Sequence, residues 1–352
     1  MNNPLQTVAR KLLQTVQTHF RKHCDQKRLA STFRAAVIKE IGKPLAIEER
    51  QVVKLKSNQV RVRVVYCSVN KVDVVKFKHG GGDLPFVPGY ELSGEVIEKG
   101  PDIPNEQVIL GDRVACLSLE HFGGLAEQCV VDADDVWRIP SELERKDAAV
   151  IAYGHSTAVY AFSNLATPKE KERVLISAGP AGLGLAAVDV AANVYKAQVI
   201  GLVDTEERGE LVRERGAFET LHFSGKLSNQ LMKMTDNKGA NIVYDAAGEE
   251  MMDTIGSCVS FGGKVMYAAP YFYKTIPGPK PHSFVTIVSL KELRKQNRHL
   301  YKTMVGDTLE LASEGVISAH VSQSYELSKI NDAIRFIEDK KCTGKVLIHI
   351  GE

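Results

Sequence analysis

Residues 173–184 read Arg173-Val174-Leu175-Ile176-Ser177-Ala178-Gly179-Pro180-Ala181-Gly182-Leu183-Gly184, and an apolar helical stretch runs on from there to Tyr195. A short apolar strand that breaks into a glycine-rich turn and restarts as a helix is built to hold a pyrophosphate. Gly179 permits the tight turn, and the small residues Ala181 and Gly182 let backbone N–H groups approach the phosphates. Gly182 and Leu183 open the helix whose N-terminus meets the negative charge, and Gly184 lets helix and strand pack closely. Twenty residues after Gly184, Asp204 closes the next strand, Gln198–Val203, where a carboxylate can bind a ribose hydroxyl. A lone glycine pattern is weak, but here the strand, the helix and the acid all stand at the required spacing.

Outward from this unit the text alternates. Helix Glu206–Gly216, helix Lys226–Thr235, strand Asn241–Asp245, helix Glu249–Cys258 and strand Gly263–Ala268 follow in turn. Strands alternating with helices imply right-handed βαβ units, hence an α/β fold with a doubly wound parallel Rossmann sheet. The text before residue 156 differs. Ala35–Lys39, Ile47, Val60–Tyr66, Glu91–Glu98, Arg113–Leu117 and Ala126–Val131 are short β-rich stretches punctuated by Gly, Pro, Asn and Asp. The tail has helices near Leu300–Glu314 and Lys329–Asp339 and strands near Val321 and Gly344–Ile350, so the chain is expected to return to the first domain. The expected division is a segment 1–32, a β domain 33–155, a dinucleotide-binding domain 156–296 and a return segment 297–352. The Pro-rich stretch Ile276–His282 reads as a surface loop.

A length of 352 residues suits about two domains. The formal charge of +2 hides an asymmetry, since residues 1–34 carry seven basic side chains against Asp25 alone and the body is net acidic by four. An acidic body with no stripe of interleaved aromatic and basic residues argues against a nucleic-acid partner. No apolar run of about 18 residues exists, so no membrane span is expected. Six cysteines lie scattered without CxxC or Cys-His spacing and read as reduced core thiols.

In the first segment Leu5, Val8, Ala9, Leu12, Leu13, Val16 and Phe20 recur at helical spacing, with Arg10, Gln14, Gln17 and Arg21 opposite. An amphipathic, arginine-bearing, acid-poor helix with Thr7, Thr15 and Thr18 has the composition of a mitochondrial transit peptide, removed near residues 28–33. The expected location is the mitochondrial matrix, with a solvated tail on a cytoplasmic protein as the alternative.

Several motifs now coincide. They include Gly42-Lys43-Pro44-Leu45-Ala46-Ile47-Glu48-Glu49, Val69-Asn70 with Asp73, and Pro85-Phe86 with Pro88-Gly89, Glu91 and Ser93-Gly94. Gly111-Asp112-Arg113-Val114, Gly124-Leu125-Ala126-Glu127-Gln128-Cys129 and Thr343-Gly344-Lys345-Val346 complete them. Together they make residues 33–352 resemble a medium-chain dehydrogenase/reductase of the quinone oxidoreductase (zeta-crystallin-like) branch. The resemblance implies a GroES-like β domain formed by both chain ends, a Rossmann insert and a homodimer. It also implies reduction of quinones or other α,β-unsaturated carbonyls with NADPH. An RNA-binding role, associated with such proteins, is disfavoured by the acidic body.

Zinc-bearing relatives hold their metal with Cys, His and Cys, and the matching positions here are Asn70, Tyr90 and Tyr153. None is a thiolate or imidazole, so no metal site and zinc-independent chemistry are expected. Hydride transfer to an enone then needs a donor to the developing oxyanion and a dry pocket. The resemblance points to Asn70 as that donor, with a turn-stabilising role as its alternative, and to Thr157 as a nicotinamide contact, with a helix N-cap as its alternative. The tyrosines expected after the Asn motif fall on Val75 and Gly81, leaving Lys76, Lys78 and His79 in the same loop as substitutes. A Gly-rich turn is replaced by Ala269-Pro270-Tyr271. These departures keep open a second reading, a dinucleotide-binding pseudoenzyme or interaction protein with weak or no turnover. Gly248 completes the candidate cofactor contacts. Asp204 favours NADH, whereas Arg208, four residues on, can pair a 2′-phosphate or swing to Glu207 or solvent. Use of both NADH and NADPH is therefore expected.

Overall fold

The computed structural model describes residues 32–80, 83–179, 182–224, 226–248, 252–269 and 282–351. The expected presequence through residue 31, Ala181, the turn at Pro270-Tyr271 and nearly all of the Pro-rich stretch lie outside the described residues.

The β domain begins with a hairpin, β1 (Thr32–Val37) and β2 (Ala46–Gln51), paired antiparallel as a sheet of its own. β3 (Gln59–Val69) follows, then helix α1 (Lys71–His79), β4 (Glu91–Lys99), β5 (Arg113–Leu117), β6 (Gln128–Asp132) and β7 (Val136–Arg138). Helices α2 (Arg145–Ile151) and α3 (Gly154–Tyr160) lead into the second domain. That domain contains β8 (Arg173–Ser177), α4 (Gly182–Asp189), β9 (Gln198–Val203), α5 (Glu206–Glu214), β10 (Glu219–His222) and α6 (Leu227–Met234). It continues through β11 (Ala240–Asp245), α7 (Met252–Gly256), β12 (Val259–Tyr267), β13 (Phe284–Ile287), α8 (Leu290–Gln296) and α9 (Arg298–Ser313). The chain ends with β14 (Val321–Glu326), α10 (Ile330–Glu338) and β15 (Lys345–His349).

The six-stranded sheet has the order β10-β9-β8-β11-β12-β13 with every pairing parallel. That is the 3-2-1-4-5-6 arrangement, whose ligand crevice opens where the order reverses, at the carboxyl ends of β8 and β11. Val174, Leu175 and Ile176 are fully buried because helices cover both faces of a parallel sheet. The seven-stranded sheet runs β14-β15-β3-β4-β5-β7, with β6 also on β3. β15 lies antiparallel to β3, pairing Val346 with Val69, so the two ends of the chain close one sheet. Its amphipathic cover, α10, buries Ile330, Ala333 and Ile334, spaced as one helical face.

Several expectations need correction. Lys76, Lys78 and His79 lie on helix α1 and not in a loop, because Asp73 in its first turn accepts the Asn70 backbone N–H at 2.9 Å. β10 and β13 have no counterpart among the expected elements; both are four-residue edge strands whose apolar alternation is too short to register. Helix α2 has no counterpart among the expected elements, and α3 begins at Gly154, ahead of the cap position offered at Thr157. They are short, and their buried faces are mostly alanine, glycine and hydroxyl residues.

Candidate active site and dinucleotide crevice

At the crevice the ends of β8 and β11 are tied by one hydroxyl. Ser177 Oγ donates to Asp245 Oδ1 at 2.9 Å and accepts from the N–H groups of Ala246 at 2.6 Å and Ala247 at 3.1 Å. Asp245 is fully buried, and its Oδ1 also accepts the Ala247 N–H at 2.9 Å. This clip sets the position of Gly248, whose φ of +99° belongs to the left-handed region that glycine tolerates.

The glycine turn fits a dinucleotide. A Cβ at Gly179 would meet no heavy atom within 4 Å, so that side of the backbone is open to a ligand. At Gly184 a Cβ would stand 2.1 Å from the Ser177 carbonyl oxygen, which is the close helix–strand packing expected there. Gly182 faces the Lys345 stem, with Cδ 3.0 Å from its ideal Cβ, and Leu183 is partly buried. Asp204 leaves its side chain 41% exposed at the strand end.

Arg208 behaves otherwise than expected. It does not swing to Glu207 or solvent, because its side chain is only 7% exposed and pairs with Asp204 at 2.5 Å. Its Nε donates to Thr343 Oγ1 at 3.2 Å and its Nη2 to the carbonyls of Lys340 and Cys342. The β-domain turn 340–343 therefore holds it in place. Thr205 caps α5 by accepting from the Arg208 N–H at 3.3 Å.

Across the crevice lies a buried polar centre. Glu91 is fully buried on β4, and its Oε2 accepts from Ser68 Oγ at 2.5 Å, Lys345 Nζ at 2.7 Å and Asn70 Nδ2 at 3.2 Å. Its Oε1 accepts the backbone N–H of Tyr153 at 2.8 Å. Lys345 also donates to Asn70 Oδ1 at 2.6 Å, and Asn70 Nδ2 donates to Ser68 Oγ at 2.8 Å. The lysine thus fixes the amide orientation, since only an oxygen accepts from an ammonium. Ser68 Oγ and Glu91 Oε2 stand 2.5 Å apart, too close for the two divergent N–H bonds of one amide, so a single N–H of Asn70 serves both. Here Asn70 positions Lys345. Thr157 is fully buried within α3, and its hydroxyl donates to the Tyr153 carbonyl at 2.7 Å. It is not an N-cap; α3 begins three residues earlier.

Glu91, Lys345, Ser68, Ser177 and Asp245 had no role in the sequence reading. The sequence carried no distinct signal for Glu91, which opens a strand that also bears Glu95, Glu98 and Lys99.

Beside this centre runs an aromatic wall. Tyr153 meets Tyr90 at 5.1 Å between centroids, Tyr90 meets Phe122 at 5.5 Å, and Phe122 meets Phe86 at 5.4 Å. Lys76 Nζ sits over the last two rings, 4.6 Å from the Phe122 centroid. Burial, then the neighbouring Lys291, lowers its pKa. Lys78 instead pairs with Glu338 at 3.1 Å. Lys71 Nζ crosses the crevice to the Ala247 carbonyl at 3.3 Å. Among the described residues, no group of three or more His, Cys, Asp or Glu is placed to hold a metal ion.

The helix that bears these lysines is anchored by Asp73, which accepts from the N–H groups of Asn70 at 2.9 Å and Gly89 at 2.8 Å. Burial outweighs those bonds and raises its carboxyl from 3.8 to about 6. A raised folded-state pKa means that folding favours the protonated form. The resulting stability is full below about pH 4 and is lost as pH rises through about 6. Acidification from pH 7 to 4 is therefore expected to stabilise the wild type relative to Asp73→Asn by about 2–3 kcal/mol. Urea unfolding of both proteins across that range checks this, and parallel pH profiles would refute it.

Two family descriptions match the chain, "Alcohol dehydrogenase GroES-like domain" over residues 56–141 and "Zinc-binding dehydrogenase" over residues 182–317. Quinone oxidoreductase-like protein 2 homolog of Nematostella vectensis is 33% identical over 334 residues, covering 90% of this chain and 89% of that protein. The chain belongs to the medium-chain dehydrogenase/reductase family. Quinone oxidoreductase-like protein 2 of Bos taurus, at 30% identity, is covered over 93% of its length, against 90% of this chain. Among solved structures, a mycobacterial protein complexed with NADPH aligns with a TM-score of 0.81 at 22% identity, covering 90% of this chain and 99% of that one. The likeness is one of fold: a GroES-like domain joined to a Rossmann domain. The crevice between the two domains contains the residues gathered above.

Proposed function

We propose that this chain is an NAD(P)H-dependent oxidoreductase that reduces quinones or other α,β-unsaturated carbonyls by hydride transfer without zinc. Support for the reading comes from the quinone oxidoreductase-like relatives, from the NADPH complex of a protein with this fold, and above all from one juxtaposition. A glycine turn shaped for a dinucleotide stands against a buried ammonium and an aromatic wall. When bound at Gly179, Gly182–Gly184, Asp204 and Gly248, the reduced nicotinamide supplies the hydride. The chain's own residues do the rest. Tyr153, Tyr90, Phe122 and Phe86 offer flat apolar surface for a planar acceptor and exclude water from it. Lys345 gives two of its three N–H donors to Asn70 and Glu91, and its third serves the oxygen on which charge develops. Thr157 supports this wall by fixing Tyr153 from below.

Zinc-independence rests on donor chemistry. Asn70 is an amide bonded to Glu91 and Lys345, Tyr90 and Tyr153 pack edge to face, and none of the three is a thiolate or an imidazole. Purified full-length chain should reduce 9,10-phenanthrenequinone or an alkenal when either reduced dinucleotide is saturating, and contain far less than one zinc per chain. Dinucleotide binding with no turnover across a panel of quinones and enones would favour the pseudoenzyme instead, and stoichiometric zinc would overturn the metal-free reading.

Two further parts of the proposal concern context. Homodimerisation is proposed through the β13 edge, where Phe284 is 65% exposed and, among the described residues, no further strand pairs with β13. Residues 1–32 are proposed as a mitochondrial import signal, on their composition. A fluorescent fusion carrying residues 1–35 should enter mitochondria; a diffuse cytosolic signal rejects it.

A further inference from the structure

Arg208 is the residue whose surroundings the dinucleotide reading leaves unexplained. Its guanidinium has five N–H donors and cannot shed its charge, so burial requires that nearly all of them be satisfied. Nη1 serves Asp204 of the Rossmann domain, while Nε and Nη2 serve Thr343, Lys340 and Cys342 of the β domain. The turn that receives them is tightly wound, with positive φ at Lys340 and Gly344, and it feeds directly into Lys345. One side chain therefore joins the ribose-binding strand end to the segment that presents the ammonium of the reaction centre.

We propose that Arg208 is a specificity-determining clamp: it fastens the 340–343 turn across the domain seam, and so withholds from the crevice the cation that a 2′-phosphate would need. The proposal rests on the reading of the glycine turn as a dinucleotide site. With Arg208 committed, Asp204 keeps its Oδ2 for ribose hydroxyls, and its negative charge stands against a phosphate. The site selects NADH. NADPH gains a counter-ion only by pulling Arg208 off the carbonyls of Lys340 and Cys342, which loosens the turn leading to Lys345. Cofactor choice and closure of the seam are thereby one equilibrium, and a ligand that binds the loosened state shifts it in that direction.

The experiment uses the full chain with NADH and NADPH as probes. Dissociation constants are measured by calorimetry, and backbone hydrogen exchange is followed over residues 338–346. NADH is expected to bind at least tenfold more tightly and to leave exchange in the turn slow, whereas saturating NADPH should accelerate it. Thr343→Val removes one seam acceptor without touching the crevice, and should improve NADPH binding severalfold while NADH binding stays constant. Asp204→Ser should shift the NADPH/NADH preference by tenfold or more towards NADPH. Equal affinities with unchanged exchange in the turn would overturn the clamp. If neither dinucleotide binds the folded protein, the dinucleotide reading itself fails. The clamp is then judged on Arg208→Ala in the ligand-free protein, which must raise exchange over 340–345 or the proposal falls.

Discussion

Glu91→Leu should lower the stability of the chain by about 3–5 kcal/mol, because it strands a buried cation. Lys345 has a side chain only 9% exposed, and its partners are Glu91 at 2.7 Å and the Asn70 oxygen at 2.6 Å. Without the carboxylate, the ammonium faces one neutral acceptor in a region water barely reaches. Lys345→Met should cost a similar amount, leaving an ionised Glu91 with only Ser68, Asn70 and the Tyr153 N–H. The double variant removes both charges and should cost at least about 2 kcal/mol less than the two single costs combined. Chemical denaturation of the four proteins gives the coupling directly. Single losses below about 1 kcal/mol, with no coupling, would mean that water fills this centre and that it does not hold Lys345 in place.

A second pair of substitutions separates folding from binding within one glycine turn. Gly184→Ala puts a methyl carbon where the Ser177 carbonyl oxygen lies 2.1 Å away and the Ala178 Cα 3.0 Å away. Backbone atoms cannot turn aside as a flexible side chain can, so α4 must lift off β8, at about 1–3 kcal/mol or more. Gly179→Ala meets nothing within 4 Å and should leave stability within about 0.5 kcal/mol. It should nevertheless weaken NADH at least tenfold, about 1.4 kcal/mol, because the methyl occupies the space through which phosphate reaches the backbone. Thermal unfolding and calorimetry on both variants check the contrast. Equal dinucleotide affinity in Gly179→Ala would move the pyrophosphate off this turn.

The amino-acid sequence by itself determined the two-domain plan. Strand–turn–helix chemistry at 173–184 is local, and the alternation that follows it admits only a parallel sheet, which the strand order confirms. The strand-end position of Asp204 and the close helix–strand packing at Gly184 were legible for the same reason: both depend on backbone shape and spacing within a few tens of residues. Tertiary structure alone decided the polar centre. Glu91, Lys345 and Asn70 are separated by up to 275 positions, and only the pairing of β15 with β3 and of β3 with β4 brings them within hydrogen-bond reach. That closure also set the Asn70 amide against the Lys345 ammonium, a contact that the local sequence around Asn70 does not encode. The fate of Arg208 was likewise invisible in sequence. Its partners Lys340, Cys342 and Thr343 lie more than 130 residues away, and burial of a charge is decided by the whole of its surroundings.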